Sequence, residues 1–168
     1  KNGTDGNLQI TFDAIKAASG AHHFLSVTKE GNSAIFSTSG NPYCHTILRG
    51  GSKGINYDSK SIDEVSARLD KAGLPQQIIV DCSHANSMKD HKKQITVVED
   101  LAKQLSYGEK RIKGLMIESN ITEGNQNIND PNLIYGKSVT DACIGWEDTE
   151  KVLYTLSEAI EKLSLIHI

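Results

Sequence analysis

Hydrophobic positions recur at helical spacing in four segments of the chain. Residues 8–19 follow Asn7, a residue type that begins helices, and precede Gly20, a type that ends them. The sequence Ser61-Ile-Asp-Glu64 matches a capping box, and Ile62, Val65, Leu69 and Ala72 form one helical face behind it. These two patterns predict two amphipathic helices.

Two further helices are predicted in the second half of the chain. One covers residues 90–106 and stops at Gly108, and the other begins near Asp148. Their predicted buried positions are Ile95, Val98, Leu101, Ala102 and Leu105 in the first, and Val152, Leu153, Leu156, Ile160 and Leu163 in the second.

Short apolar runs alternate with these helices. Residues 23–28 and 33–38, joined by Lys-Glu-Gly-Asn, predict a β-hairpin. Four other runs predict strands, of which three are almost continuously apolar, as in strands covered on both faces, and the last is mixed: residues 45–49, 77–84, 112–119 and 137–144. Strands that alternate with helices pair in parallel, so the fold class is α/β.

The strand ends are evenly spaced along the chain. Arg49 and His84 are 35 residues apart, and His84 and Glu118 are 34 residues apart. A period of this length also occurs in helical repeat proteins. The units share no sequence, however, and each contains a strand, so a βα repeat of a barrel or of an open sheet fits better.

Composition excludes several functional classes. The chain has 168 residues, with 38% hydrophobic and 23% charged residues, as in a globular domain. No apolar run approaches the roughly 18 residues that span a bilayer. The net charge is −3 and there is no basic stripe, which argues against a nucleic-acid partner. Three cysteines without a signal peptide favour free thiols and a cytoplasmic location.

Ionisable residues lie at the ends of the predicted strands or within them. Arg49, His84 and Glu118 are at or just past the carboxyl ends, and Asp141 lies inside the fourth run. Active sites of parallel α/β folds are built at this edge. One nitrogen and two oxygen ligands, from His84, Glu118 and Asp141, suit one divalent ion such as manganese, iron, cobalt or zinc. Each residue taken singly is also compatible with a bond to a loop backbone.

Two cationic residues are candidates for binding an anion. Arg49 precedes Gly50-Gly51, where a ligand can approach the backbone, and a guanidinium pairs well with carboxylate or phosphate. Arg49 could equally pair with a structural carboxylate. Lys1 begins a Gly-containing turn that leads into a helix, which is weak evidence for an anion site by itself.

Six motifs closely resemble the class I 3-deoxy-D-arabino-heptulosonate 7-phosphate (DAHP) synthases, in order and at the spacing of that family. They are KNGTDG (1–6), HHFLSVTK (22–29), ILRGG (47–51), DCSHANS (81–87), MIESNITEGNQ (116–126) and YGKSVTDACIGWEDT (135–149). The resemblance implies the C-terminal half of a (β/α)8 TIM barrel with an inserted β-hairpin.

The resemblance also implies a reaction and its residues. The family condenses phosphoenolpyruvate with erythrose 4-phosphate to DAHP and phosphate, the first step of the shikimate pathway. His84, Glu118 and Asp141 match metal ligands of the family, and Lys1 and Arg49 match residues that hold phosphoenolpyruvate. The catalytic residues implied are therefore Lys1, Arg49 and His84, and the intact enzyme is expected to be a homo-oligomer.

The hairpin has a regulatory meaning in this family. In feedback-inhibited members it belongs to a pocket for an aromatic amino acid, and Phe24 and Ser26 match positions that line the pocket. Serine at the second position resembles the phenylalanine-sensitive type more than the tyrosine-sensitive type. An ordinary hairpin serine is the alternative.

Part of the family pattern is missing from this sequence. The cysteine ligand of the family and its Lys-Pro-Arg-Thr motif do not occur. The expectation is that residues 1–163 are the C-terminal portion of the barrel, that residues 164–168 are an atypical tail, and that this chain alone is inactive. Two other readings are a related synthase that uses arabinose 5-phosphate and a non-catalytic module that binds an aromatic amino acid.

Overall fold

Three short parallel strands form the central sheet of the protein. The computed structural model describes residues 1–165. The sheet has the order β3-β4-β5, with strands β3 (Thr46–Leu48), β4 (Ile78–Asp81) and β5 (Ile112–Met116). Leu48 pairs with Val80, and Val80 pairs with Leu115, so the carboxyl ends of the three strands lie at one edge. This arrangement confirms the predicted α/β class.

Helices connect the strands and cover the sheet. The helices are α1 (Gln9–Ser19), α2 (Ser59–Lys71), α3 (Lys93–Ser106) and α4 (Trp146–Leu165). Helix α2 lies between β3 and β4 in sequence, and α3 lies between β4 and β5. Leu48, Ile62, Leu69, Ile78, Val80, Val98 and Leu101 are fully buried in one common core. Burial alternates along β3 and β4: Leu48, Ile78 and Val80 lie in this core, whereas Ile47 and Ile79 on the other face are half-buried.

A β-hairpin follows α1, as predicted. Strands β1 (His22–Val27) and β2 (Ser33–Thr38) pair antiparallel, with Phe24 opposite Phe36. The two rings stack with centroids 6.0 Å apart. Leu25 and Ile35, which point to the other face, are each 75% exposed. The hairpin therefore carries apolar side chains on both faces without burying them against the described residues.

Two predicted helix caps are wrong. Helix α2 begins at Ser59, and its cap is Asp58, whose side chain accepts a hydrogen bond from the Ser61 backbone N–H. Ser61 is therefore inside the helix and is not its cap. Helix α1 begins at Gln9 after Leu8, so Asn7 lies one residue before the cap position, where its Oδ1 accepts from the Gln9 backbone N–H. The predicted end of α1 before Gly20 is confirmed.

The fourth predicted strand is also largely wrong. In the run 137–144, β7 (Lys137–Ser138) pairs with β6 (Thr122–Asn125), apart from the central sheet. Ile144 makes one parallel bridge to Ser119 beyond the end of β5. The mixed polarity of the run agrees with this result, since only its last residues enter the core.

Helix α4 differs from its predicted pattern. It begins at Trp146, and it continues through Leu165, past the predicted boundary at 163. Val152 and Ala159 are buried, whereas Leu153 and Ile160 are 52% and 47% exposed. Residues 166–168 of the predicted tail lie outside the described residues. Within residues 1–165, no helix is long and apolar enough to cross a membrane.

The cap of α2 allows a direct test of the two assignments. We expect Asp58→Ala to lower the free energy of unfolding by about 1 kcal/mol, because the first turn loses its acceptor. Glu64→Ala, which would remove the capping-box partner, should change it by less than about 0.5 kcal/mol, because Glu64 is exposed. Urea unfolding followed by circular dichroism measures both. A larger loss for Glu64→Ala would contradict the Asp58 cap.

Candidate metal and anion site

Three side chains with ligand atoms converge at the carboxyl edge of the sheet. His84 lies three residues after β4, Glu118 lies two residues after β5, and Asp141 lies in the loop after β7. One ligand atom of each lies within 4.8 Å of the others. His84 and Glu118 are half-buried and Asp141 is exposed, so the cluster opens to solvent on the Asp141 side.

The buried carboxylate of Asp81 lies behind His84. Asp81 ends β4 and has no solvent exposure. Its Oδ2 accepts a hydrogen bond from Lys1 Nζ at 2.7 Å and lies 3.0 Å from His84 Nδ1. The second contact lacks hydrogen-bond geometry, and Nδ1 has no hydrogen-bond partner among residues 1–165. Asp81 Oδ1 accepts from the Ser83 backbone N–H at 2.9 Å.

His84 and Glu118 are both held by the loop that follows β4. His84 has φ 50°, in the left-handed region that a non-glycine residue rarely adopts. The Lys89 backbone N–H donates to the His84 carbonyl at 2.8 Å, which closes the loop over this strained residue. The Ser83 hydroxyl donates to Glu118 Oε2 at 2.6 Å. One loop therefore orients two of the three candidate ligands.

The three residues fit a small divalent cation. Two ligands bound at ~2.1 Å to a tetrahedral ion lie about 3.4 Å apart, so a contraction of at most about 1.4 Å from the 4.8 Å limit would bring the set to bonding distance. Asp141 is exposed and can make this movement. A carboxylate behind a histidine is a common outer contact of metal-binding imidazoles, and Asp81 occupies that position.

Asn2 holds Arg49 just past the end of β3. The Arg49 backbone N–H donates to Asn2 Oδ1 at 2.8 Å, and Arg49 Nε donates to the Asn2 carbonyl at 2.9 Å. Asn2 is fully buried and also donates to the Gly50 carbonyl. Gly50 has φ 68°, and a Cβ there would lie 2.8 Å from the carbonyl carbon of Ala85. Glycine is therefore required where these strand-end loops meet.

Two open cavities adjoin at this edge. One, of about 330 Å³, is lined by Arg49, Gly50 and Gly51 together with Thr4, Ser52, His84, Ala85 and Lys89. The other, of about 260 Å³, is lined by Ser83, His84, Lys89, His91, Glu118, Asp141 and Ala142. His84 and Lys89 line both cavities. An anion held at Arg49 would therefore lie next to the candidate metal ligands.

The sequence-predicted site residues divide into two groups. The structure brings Arg49, His84, Glu118 and Asp141 to these adjoining cavities, and it joins Lys1 to His84 through Asp81. Phe24 and Ser26 lie elsewhere, on one face of β1 in the hairpin, and neither lines these two cavities.

Sequence reasoning missed Asp81, Ser83 and Lys89. Asp81 and Ser83 are inside the DCSHANS motif, so a charged residue at the end of an apolar strand was the available signal. Lys89 gave no such signal, because a lysine in a polar loop is usually solvated.

Two cysteines near the site are poor nucleophiles. Burial, with a smaller effect of the Asp81 charge, raises the pKa of the Cys82 thiol to about 12. Burial also raises the pKa of Cys143, and the charges of Glu118 and Asp141 add to this effect. Both thiols therefore stay protonated near neutral pH, in agreement with a packing role.

Comparison with known proteins identifies one family along most of the chain. The model of the DAHP synthetase I family matches residues 1–154. The Phe-sensitive phospho-2-dehydro-3-deoxyheptonate aldolase of Escherichia coli strain K12 is 55% identical over 162 residues, which are 96% of this chain and 46% of that protein. The phenylalanine-inhibited aldolase of Saccharomyces cerevisiae is 51% identical over 168 residues, covering 95% of this chain and 45% of that protein.

A solved structure shows the same relationship. The phospho-2-dehydro-3-deoxyheptonate aldolase of Francisella tularensis SCHU S4 superposes with a TM-score of 0.91 at 48% identity, over 96% of this chain and 47% of that one. The chain thus spans about half the length of the relatives it matches.

The cysteine environments predict an order of alkylation. At pH 8, a thiol with a pKa near 12 is roughly one part in ten thousand thiolate, so iodoacetamide should modify half-exposed Cys44 well before Cys82. Mass spectrometry of timed samples measures the order, and the same reaction in urea, where all three should react, is the control. Equal rates for Cys44 and Cys82 in the folded protein would contradict the buried, protonated thiol.

Proposed function

Because the chain belongs to the DAHP synthetase I family, we propose that it provides the metal-binding edge of an enzyme that condenses phosphoenolpyruvate with erythrose 4-phosphate. The products are DAHP and inorganic phosphate, in the first step of aromatic amino acid biosynthesis. The family is the one that the sequence motifs indicated. The activity is proposed for the assembled enzyme, since this chain spans about half of its relatives.

The observation that carries the proposal is the convergence of His84, Glu118 and Asp141 within 4.8 Å beside an arginine-lined cavity. The three residues come from separate segments: His84 and Glu118 follow neighbouring strands of the central sheet, and Asp141 lies in the loop after β7. A mixed nitrogen and carboxylate set suits manganese, iron, cobalt or zinc. We assign these residues as metal ligands, with His84 using Nε2, because Nδ1 lies against Asp81.

We further propose that the sheet is part of a (β/α)8 barrel, with residues 1–163 forming its C-terminal portion. The parallel order β3-β4-β5 and the Ile144 bridge beyond β5 support four neighbouring strand positions. Candidate ligands at carboxyl ends of successive strands are typical of such barrels.

Arg49 and Lys1 are the residues assigned to phosphoenolpyruvate. The Nε of Arg49 is bound to the Asn2 carbonyl, which fixes the plane of the guanidinium and leaves its two terminal nitrogens for an anion. Lys1 is bound to Asp81 and is 29% exposed in its side chain, so it can extend positive potential toward the same anion. Holding the phosphate and carboxylate groups by fixed cations opposes their repulsion from the sugar phosphate.

In the proposed reaction, C3 of phosphoenolpyruvate forms a bond to the aldehyde carbon of erythrose 4-phosphate. Water then adds at C2, the bond between C2 and the phosphate oxygen breaks, and phosphate leaves with the electron pair of that bond. A divalent ion at the His84, Glu118 and Asp141 site would supply Lewis-acid polarisation of the aldehyde or activation of water. Arg49 and Lys1 hold the anionic reactant, and Ser83 keeps the Glu118 carboxylate aimed at the cavity.

The hairpin is the proposed site of feedback inhibition. The Escherichia coli and yeast relatives are named Phe-sensitive and phenylalanine-inhibited. Phe24 and Ser26 share one face of β1, and Phe24 is 48% exposed, so both can contact a ligand. We assign phenylalanine over tyrosine as the effector, in a cytoplasmic enzyme that forms homo-oligomers.

The metal assignment predicts a specific loss of affinity. Asp141→Asn should weaken Mn²⁺ binding by at least about tenfold, because a neutral amide replaces a carboxylate ligand. Calorimetric titration of the chain with MnCl₂ measures it. Asp13→Asn is the matched control, since it makes the same charge change at an exposed position of α1 and should leave the affinity within twofold. Equal affinities of parent and Asp141→Asn would contradict the site.

The anion assignment predicts a loss that depends on the guanidinium. Arg49→Ala should lower phosphoenolpyruvate affinity roughly tenfold to hundredfold, the equivalent of about 1.5–3 kcal/mol for hydrogen bonds to a charged group. Lys29→Ala removes a cation from the hairpin turn and should have little effect. Titration with phosphoenolpyruvate in the presence of MnCl₂ measures both, and similar losses in the two variants would contradict a specific role for Arg49.

A further inference from the structure

Gln94 is a fully buried amide next to the site. It is the second residue of α3, in the first turn of the helix, and none of its surface is exposed. Glutamine is seldom buried completely, and its amide is costly to bury unless both ends are hydrogen-bonded. Its environment therefore has to supply both a donor and an acceptor.

Both ends of the Gln94 amide bind one residue. Its Oε1 accepts a hydrogen bond from the Glu118 backbone N–H at 2.8 Å, and its Nε2 donates to the Glu118 carbonyl at 3.1 Å. A side-chain amide that contacts the N–H and C=O of the same residue imitates a neighbouring β-strand. It does so where regular pairing has stopped, because β5 ends at Met116.

Other contacts complete the environment of Glu118. The Ile144 backbone N–H donates to the same Glu118 carbonyl at 3.0 Å, and the Ser83 hydroxyl binds the carboxylate. Gln94 is the contact from the helical side, and it connects the start of α3 to the end of β5. With the backbone held between α3 and Ile144, the Glu118 side chain can leave it in few directions.

We infer that Gln94 is a positioning residue that fixes the Glu118 backbone so that its carboxylate faces His84 and Asp141. This role rests on the proposed metal site. Gln94 is not itself among the candidate ligands, and it is 24 residues from Glu118 in sequence. Metal affinity depends on ligands being held in place before the ion binds, so loss of this contact weakens binding without removing a ligand.

Gln104 provides a matched control on the same helix. Its Nε2 donates to the Tyr57 carbonyl at 2.9 Å, near the other end of α3, and it lines neither cavity of the site. Gln94→Met and Gln104→Met both replace an amide by an apolar chain of similar length and both cost stability. Only Gln94→Met removes the hydrogen bonds to the Glu118 backbone.

Two measurements on the chain test the inference. In the metal-free protein, hydrogen exchange by NMR should show the Glu118 amide exchanging at least about tenfold faster in Gln94→Met, relative to the other protected amides of β5, and unchanged in Gln104→Met. In calorimetry with MnCl₂, Gln94→Met should bind about tenfold to hundredfold more weakly. Gln104→Met should stay within twofold of the parent.

The outcomes separate this inference from the proposed function. If Gln94→Met leaves both Glu118 exchange and Mn²⁺ affinity as in Gln104→Met, the positioning role is overturned. If the parent chain binds no Mn²⁺, the metal site is refuted, and the exchange measurement alone then decides whether Gln94 holds Glu118. If Gln94→Met fails to fold, Gln94→Asn replaces it. That variant keeps a neutral amide, but its side chain is one methylene shorter and cannot reach both the N–H and the C=O of Glu118, so the same direction of change is expected.

Discussion

The buried carboxylate of Asp81 is the constraint on which the site depends. A charge without solvent exposure is stable only when polar groups replace its water, and Asp81 receives the Lys1 ammonium, the Ser83 N–H and the edge of the His84 ring. These partners fix the start of the loop after β4. The same loop orients His84 through its own strained backbone and orients Glu118 through Ser83.

Polar side chains replace strand pairing where the parallel sheet ends. Asn86 donates hydrogen bonds to the Asp81 and Leu48 carbonyls. Asn2 accepts one from the Arg49 backbone N–H and donates one to the Gly50 carbonyl. Gln94 accepts one from the Glu118 backbone N–H. Buried backbone groups must find partners once the strands diverge. The candidate site is thus held in place by the hydrogen bonds that replace strand pairing beyond the strand ends. The bond from the Arg49 backbone N–H to Asn2 is one of these.

Local patterns identified most of the fold. Continuous apolar runs located β3, β4 and β5, and helical spacing located the four helices within a few residues. The pattern was less informative where burial was partial. The run 137–144 contributes only β7 and one bridge at Ile144, and the outward Leu153 and Ile160 of α4 look buried in sequence because spacing alone does not tell which of two apolar faces packs.

The sequence by itself determined the family, the α/β class and the candidate residues Arg49, His84, Glu118 and Asp141, because strand ends and conspicuous motifs are local features. Only the tertiary structure decided that the ligand atoms of the last three lie within 4.8 Å, and that Asp81 and Gln94 support them. Lys1 and Asp81 are 80 residues apart, and Gln94 and Glu118 are 24 apart. In sequence such residues resemble ordinary polar positions, since their role comes from burial against distant partners that only folding brings together.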